Sequence, residues 1–129
     1  MVMMPPLVTV MWKAAEAAAK PLSRDFGEVE QLQVSFKGPS DFVTAADRRA
    51  EQTLHKHLSK ARPTFGFLME ESGVVAGTDP NRRFIIDPLD GTNNFLHGLP
   101  HWCITIAAEE EGEITAALTY DLIRNETLW

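Results

Sequence analysis

The chain has 129 residues, 44% of them hydrophobic and 23% charged, with a formal net charge of -6. That length holds one domain or part of one, with enough apolar residues for a core. The acidic balance excludes nonspecific nucleic-acid binding, which needs a basic face, but leaves phosphate substrates open because bound metal inverts local charge.

Met1 to Trp12 is apolar, yet it lacks a basic n-region and is interrupted by Pro5-Pro6, so it does not read as a signal peptide. No run reaches membrane-spanning length. Pro6 suits the first turn of a helix, and Leu7, Met11, Ala14, Ala15 and Ala18 recur behind it at helical spacing. Pro21 kinks or ends that helix. Gly27, Gly38 and Pro39 break the next stretch, with a short strand or ribbon over Gln31 to Phe36. A second helix carries the stripe Val43, Ala46, Ala50, Leu54 and Leu58, with Arg48, Arg49, Gln52, Lys56 and Ser59 facing away. Phe65 to Met69 reads as a short buried strand, Val74 to Arg83 as a loop, and Phe84-Ile85-Ile86 as another short strand.

Beyond Gly98-Leu99-Pro100, Trp102, Ile104, Ile106 and Ala108 alternate with Cys103, Thr105 and Ala107, and Ile114, Ala116, Leu118 and Tyr120 alternate again. The spacing predicts a hairpin turning at Gly112, with Glu109-Glu110-Glu111 as its solvated end. Asp121 to Trp129 holds no element long enough to cover it, so the apolar arms call for a further partner. The lone cysteine, Cys103, cannot form an internal disulfide; it reads as a buried, unreactive thiol and fits a reducing compartment.

The chemistry concentrates in Asp87-Pro88-Leu89-Asp90-Gly91-Thr92-Asn93-Asn94-Phe95. Asp87 and Asp90, on a strand-to-loop bend, are hard oxygen ligands of the kind Mg²⁺ takes, and the Leu89 carbonyl between them can face the same ion. Gly91 lets backbone approach a phosphate closely, and a helix starting near Thr92 offers free N–H groups to it. The plainer alternative is an Asp-Pro turn before an N-capped helix. Upstream, Glu70 is the inward member of the Glu70-Glu71 pair, as ligand and orienter of a water; the alternative is two exposed charges before a turn. Asp47, near the start of the second helix, either bonds the Thr92 hydroxyl and helps activate a water, or completes a capping box with Thr44. His55, His57, His97 and His101 form no ligand constellation and read as surface groups.

Four segments fall in a telling order: Asp41-Phe-Val-Thr-Ala-Ala-Asp47-Arg-Arg-Ala-Glu51, Phe67-Leu-Met-Glu70-Glu71-Ser72, Asp87 through Phe95, and Gly98-Leu99-Pro100. The chain resembles the inositol monophosphatase family, whose motifs D-x-V-T-x-x-D, G-E-E and D-P-[IL]-D-G-T-x-N-F share this order and spacing. The resemblance implies an α/β fold, specifically the N-terminal half of an α+β layered sandwich of α/β/α/β/α type. Residues 1–129 would be its metal- and phosphate-binding portion, without the C-terminal half.

It also implies Mg²⁺-dependent hydrolysis of a small-molecule phosphate monoester, foremost inositol-1-phosphate, by a cytoplasmic homodimer without nucleic-acid or membrane partners. Glu70, Asp87, Asp90 and the Leu89 carbonyl would hold metal. Asp90, Gly91 and Thr92 would bind substrate. Asp47, Glu70 and Thr92 would position and activate the attacking water. Two departures stand out: Met69 replaces the glycine before the paired glutamates, and none of Trp12, Trp102 and Trp129 precedes the aspartate of the family's later Trp-Asp motif. The alternatives are a phosphatase of 3′-phosphoadenosine 5′-phosphate or fructose-1,6-bisphosphate, or a non-catalytic interaction protein.

Overall fold

The computed structural model describes residues 3–32 and 39–129. Two long helices lie against one mixed sheet. Helix α1 spans Pro6–Leu32 and α2 spans Pro39–Ala61. The strands are β1 (Gly66–Met69), β2 (Gly73–Val75), β3 (Arg82–Asp90), β4 (Cys103–Glu110), β5 (Glu113–Asp121) and β6 (Glu126–Leu128), with a short helix α3 (Thr92–Leu96) after β3. The sheet order is β2-β1-β3-β4-β5-β6. Only the β1–β3 pair is parallel among these neighbours; the others are antiparallel.

Pro21 and Gly27 lie inside α1 and do not end it. Losing one N–H is local, whereas Met11, Ala14, Ala15, Ala18, Ala19, Leu22 and Val29 bury a face on both sides of the proline. Of the expected ribbon at Gln31 to Phe36, Gln31 and Leu32 belong to α1, and the rest lies outside the described residues. The alanines on α1 let α2 approach closely, and Arg49 bridges to Asp25 at 2.8 Å across the pair. Pro39 opens α2, with Asp41 in its first turn and Lys60 in its last, both favourable to the helix dipole. The whole expected stripe of α2 is buried.

The loop expected over residues 74–83 is shorter than the sequence implies. Val74 and Val75 pair with Leu68 and Phe67, and β3 begins at Arg82. Strand β3 also runs on through Pro88 to Asp90, with a register shift against β4 between Asp87 and Asp90. Proline is tolerated at such an irregularity because the ladder there needs no donor.

The β4–β5 hairpin forms as expected. Glu111 (φ 54°) and Gly112 (φ 82°) supply the two left-handed residues that a tight turn with the native strand twist requires. Ile104, Ile106, Ala108, Leu118 and Tyr120 are buried on the helix-facing side, but Ile114 lies beyond it and is 56% exposed. Helix α1 packs against β4 and β5, and β6 adds a short edge to β5. Cys103 falls on the opposite side and is half-exposed, not buried, although partial burial still raises its thiol pKa.

Candidate active site

Three pieces of chain converge at the C-terminal end of β3. Helix α2 brings Asp47, the end of β1 brings Glu70, and β3 itself brings Asp87 to Asp90. Asp47 is 5% exposed and its Oδ1 has no hydrogen-bond partner among the described residues. Burial, then the charges of Glu70, Glu71, Asp87 and Glu51, push its pKa up to about 7. Glu70 also sits above the ordinary carboxylate range. Desolvation raises it first, followed by a side-chain hydrogen bond to Asp87 and the charges of Asp87, Glu71 and Glu51. Glu70 remains open to solvent, so the Asp87 contact is the more telling of those causes. Two carboxyls sharing a proton are a sign of negative charge without a counter-charge.

Asp87 turns one oxygen back on its own chain, where Oδ1 accepts the Leu89 N–H at 3.2 Å. The Thr92 hydroxyl donates to the Leu89 carbonyl at 3.0 Å. It therefore does not donate to Asp47, as the sequence led us to expect. The hydroxyl lies three residues from that carbonyl, and the local bond wins over one reaching to α2. The capping-box reading of Asp47 fails too, because α2 begins at Pro39 and Thr44 donates to the Ser40 carbonyl at 2.9 Å inside the helix.

Gly91 is required at the bend for two separate reasons. Its φ of 93° is strained for any residue with a side chain, and a Cβ there would come within 2.7 Å of the His101 carbonyl oxygen. Asn94 donates to the same carbonyl at 2.8 Å, pinning the 97–101 loop under α3. Phe95 and Trp102 pack edge to face below it, with centroids 5.1 Å apart. Asp90 lies beside Cys103 at 3.8 Å and opens onto a cavity of about 380 Å³ that Asn94, His101, Asp121 and Arg124 also line.

The donors fit Mg²⁺. All are hard oxygens, the carboxylates crowd each other without a cation, and the neighbouring Asp47 Oδ1 is buried without a partner among the described residues. Among the described residues, no three acidic, His or Cys side chains close into a complete cage. Mg²⁺ does not need one, since it keeps waters and takes one or two protein carboxylates. No histidine joins the carboxylates: His55 packs against Phe67, and His101, on the wall of the Asp90 cavity, bonds Arg124 at 2.7 Å.

One site-adjacent residue escaped the sequence reading. Glu51 is 3% exposed and accepts the Glu71 N–H at 3.1 Å, directly beside Glu70. Its signal was its position one helical turn after Asp47, on the edge of the same buried stripe.

The chain is similar to known proteins in sequence and in fold. The sequence profile of the inositol monophosphatase family matches residues 3–129. The inositol-1-monophosphatase of Mesorhizobium japonicum is 55% identical over 120 residues, covering 93% of this chain and 45% of that protein. The Nus factor SuhB of Escherichia coli is 37% identical over 123 residues, covering 95% of this chain and 46% of that protein. Among solved structures, the extragenic suppressor protein suhB from Bartonella henselae superposes with a TM-score of 0.84 at 46% identity, over 95% of this chain and 47% of the other. The inositol monophosphatase from Anabaena superposes with a TM-score of 0.71 at 29% identity, over 95% of this chain and 44% of the other. The chain spans about half the length of the curated relatives it matches. It belongs to the inositol monophosphatase family.

Proposed function

We propose that this chain carries the cation- and phosphate-holding part of a Mg²⁺-dependent phosphomonoesterase acting on inositol-1-phosphate. The observation that carries the reading is the cluster of Asp47, Glu70 and Asp87, acids that crowd one another with no cationic partner among the described residues. Glu70, Asp87, Asp90 and the Leu89 carbonyl would hold Mg²⁺. A cation there supplies charge that stabilises the phosphoryl group and makes a water easier to deprotonate.

The remaining work belongs to the chain. The Gly91-Thr92 bend presents backbone N–H groups to the phosphate, and the absence of a side chain at Gly91 allows close approach. Asp90 faces the cavity and binds the alcohol part of the substrate. Glu70 and Asp47 orient the attacking water, with the unpartnered Oδ1 of Asp47 as its acceptor. The Thr92 hydroxyl fixes the Leu89 carbonyl and so holds the bend in shape. The printed name of the 55% identical relative supports inositol-1-phosphate as the substrate. The whole protein, on this reading, is a cytoplasmic homodimer.

The test is phosphate release from inositol-1-phosphate by the chain and by Asp90→Asn, with and without Mg²⁺. Release that depends on Mg²⁺ and falls on the order of 100-fold in the variant is expected. Equal rates in the two proteins would remove Asp90 from the reaction. Faster release from 3′-phosphoadenosine 5′-phosphate or fructose-1,6-bisphosphate would move the substrate assignment. A second reading, an interaction module without catalysis, draws on relatives named Nus factor SuhB. It predicts background rates with every ester.

A further inference from the structure

We propose that Glu51 is a positioning residue for the cation site: its buried carboxylate grips the turn after β1 and thereby holds the Glu70 carboxylate against Asp87. The proposal rests on the cation reading above.

Glu51 lies on α2 at 3% exposure, with no ion pair among the described residues. A carboxylate so placed is costly unless its oxygens are hydrogen-bonded. Its partners all come from one short segment. Oε1 accepts the Glu71 N–H at 3.1 Å and the Ser72 N–H at 3.4 Å, and Oε2 accepts the Ser72 hydroxyl at 3.5 Å. Those donors immediately follow Glu70 and precede Gly73, whose φ of 70° sends the chain back as β2.

The turn has few other means of being fixed. β1 and β2 are only 4 and 3 residues long, and β2 is the outer edge of the sheet. Glu51 therefore supplies a rigid anchor from a helix 23 residues long. Asp47 and Glu51 are one helical turn apart and share a face of α2. Through them a single helix sets two carboxylates of the site, the water-orienting Asp47 directly and the ligand Glu70 by way of the turn. Supporting groups of this kind, one step removed from the ion, commonly change metal affinity by 10- to 100-fold.

The test titrates Mn²⁺, as a paramagnetic stand-in for Mg²⁺, into the chain and into Glu51→Gln and Glu51→Met. Glutamine keeps an acceptor oxygen for the two N–H groups, whereas methionine keeps the length and offers none. Amide hydrogen exchange at Glu71 and Ser72 is followed in the same proteins, with β3 and β4 amides as an internal measure of folding. The expected result is near-native Mn²⁺ affinity for Glu51→Gln and a loss of roughly 10- to 100-fold for Glu51→Met. The Glu71 and Ser72 amides should be protected in the first and exposed in the second, with β3 and β4 unchanged.

A folded Glu51→Met variant with native affinity overturns the positioning role alone. Unprotected Glu71 and Ser72 amides in the unaltered chain overturn it without any variant. A chain that binds no Mn²⁺ overturns the cation reading, and the positioning role falls with it.

Discussion

The two ends of β3 carry similar numbers of acids and treat them in opposite ways. At its start, three carboxylates are paired with arginines. Arg82 bonds Asp79 at 2.9 Å and Glu110 at 3.0 Å, and Arg83 bonds Glu109 at 3.2 Å. Hydrogen bonds to Asn81 and Arg82 hold Asp79 below its ordinary pKa, and bonds from Thr115 and Arg82 do the same for Glu110. At its far end, Asp47 and Glu70 are raised and Asp87 has no cationic side chain among the described residues. One strand thus joins a neutralised end to a charged one. A fold that can pair its acids with arginine, and does so a few residues away, leaves the far end unpaired for an external cation.

The largest effect we expect breaks both ends together. Phe84 is fully buried in β3 between them and stacks on Phe65 with centroids 4.8 Å apart. Phe84→Ala should cost about 3–5 kcal/mol in chemical unfolding. A cost under about 1 kcal/mol would mean that β3 is not the core element described.

The next effect separates the ends by pH. Asp47 in the folded chain holds a proton up to about pH 7, against an ordinary carboxyl value of 3.8. The stabilisation from that proton is full below about pH 4 and is lost as pH rises through 7. Metal-free chain in EDTA should lose roughly 2–4 kcal/mol of unfolding free energy between pH 4 and 8, and Asp47→Asn should flatten the profile. An identical slope in the variant would place the titration elsewhere.

Gly91→Ala sharpens the far end alone. It forces a side chain into φ 93° and against the His101 carbonyl, at a cost of about 1–3 kcal/mol. Unchanged stability on thermal melting would contradict the bend. The smallest effect belongs to the neutralised end. Glu109→Gln removes one partly exposed ion pair, worth about 0.2–1 kcal/mol and less in high salt. It should leave Mn²⁺ affinity untouched in the same titration.

Much of this was written in the sequence where pattern and neighbourhood coincide. The stripe from Val43 to Leu58 is local and periodic, and α2 follows it closely. The hairpin turn needed two left-handed residues and had Gly112 at the right place. The motif acids were legible as a string because they come together at the end of one strand. What escaped depends on contacts far apart in sequence. Val74-Val75 becomes β2 only because β1 offers an edge, and α1 survives Pro21 only because its buried face continues. The reach of Asp47 to Thr92 was expected across 45 positions, yet the hydroxyl found a carbonyl three residues away. Gly91 announced its freedom, but not the His101 carbonyl that makes it necessary.

The most direct test of the account is thermal unfolding across a Mg²⁺ series at pH 8, for the chain and for Asp87→Asn. A cation that binds only the folded end stabilises it by about 2.7 kcal/mol at 100 times its dissociation constant. The account predicts a melting temperature that climbs with Mg²⁺ in the native chain. It also predicts a higher metal-free value that ignores Mg²⁺ in Asp87→Asn. A native chain whose melting temperature is indifferent to Mg²⁺ would contradict the claim that the unpaired end of β3 is built to hold a cation.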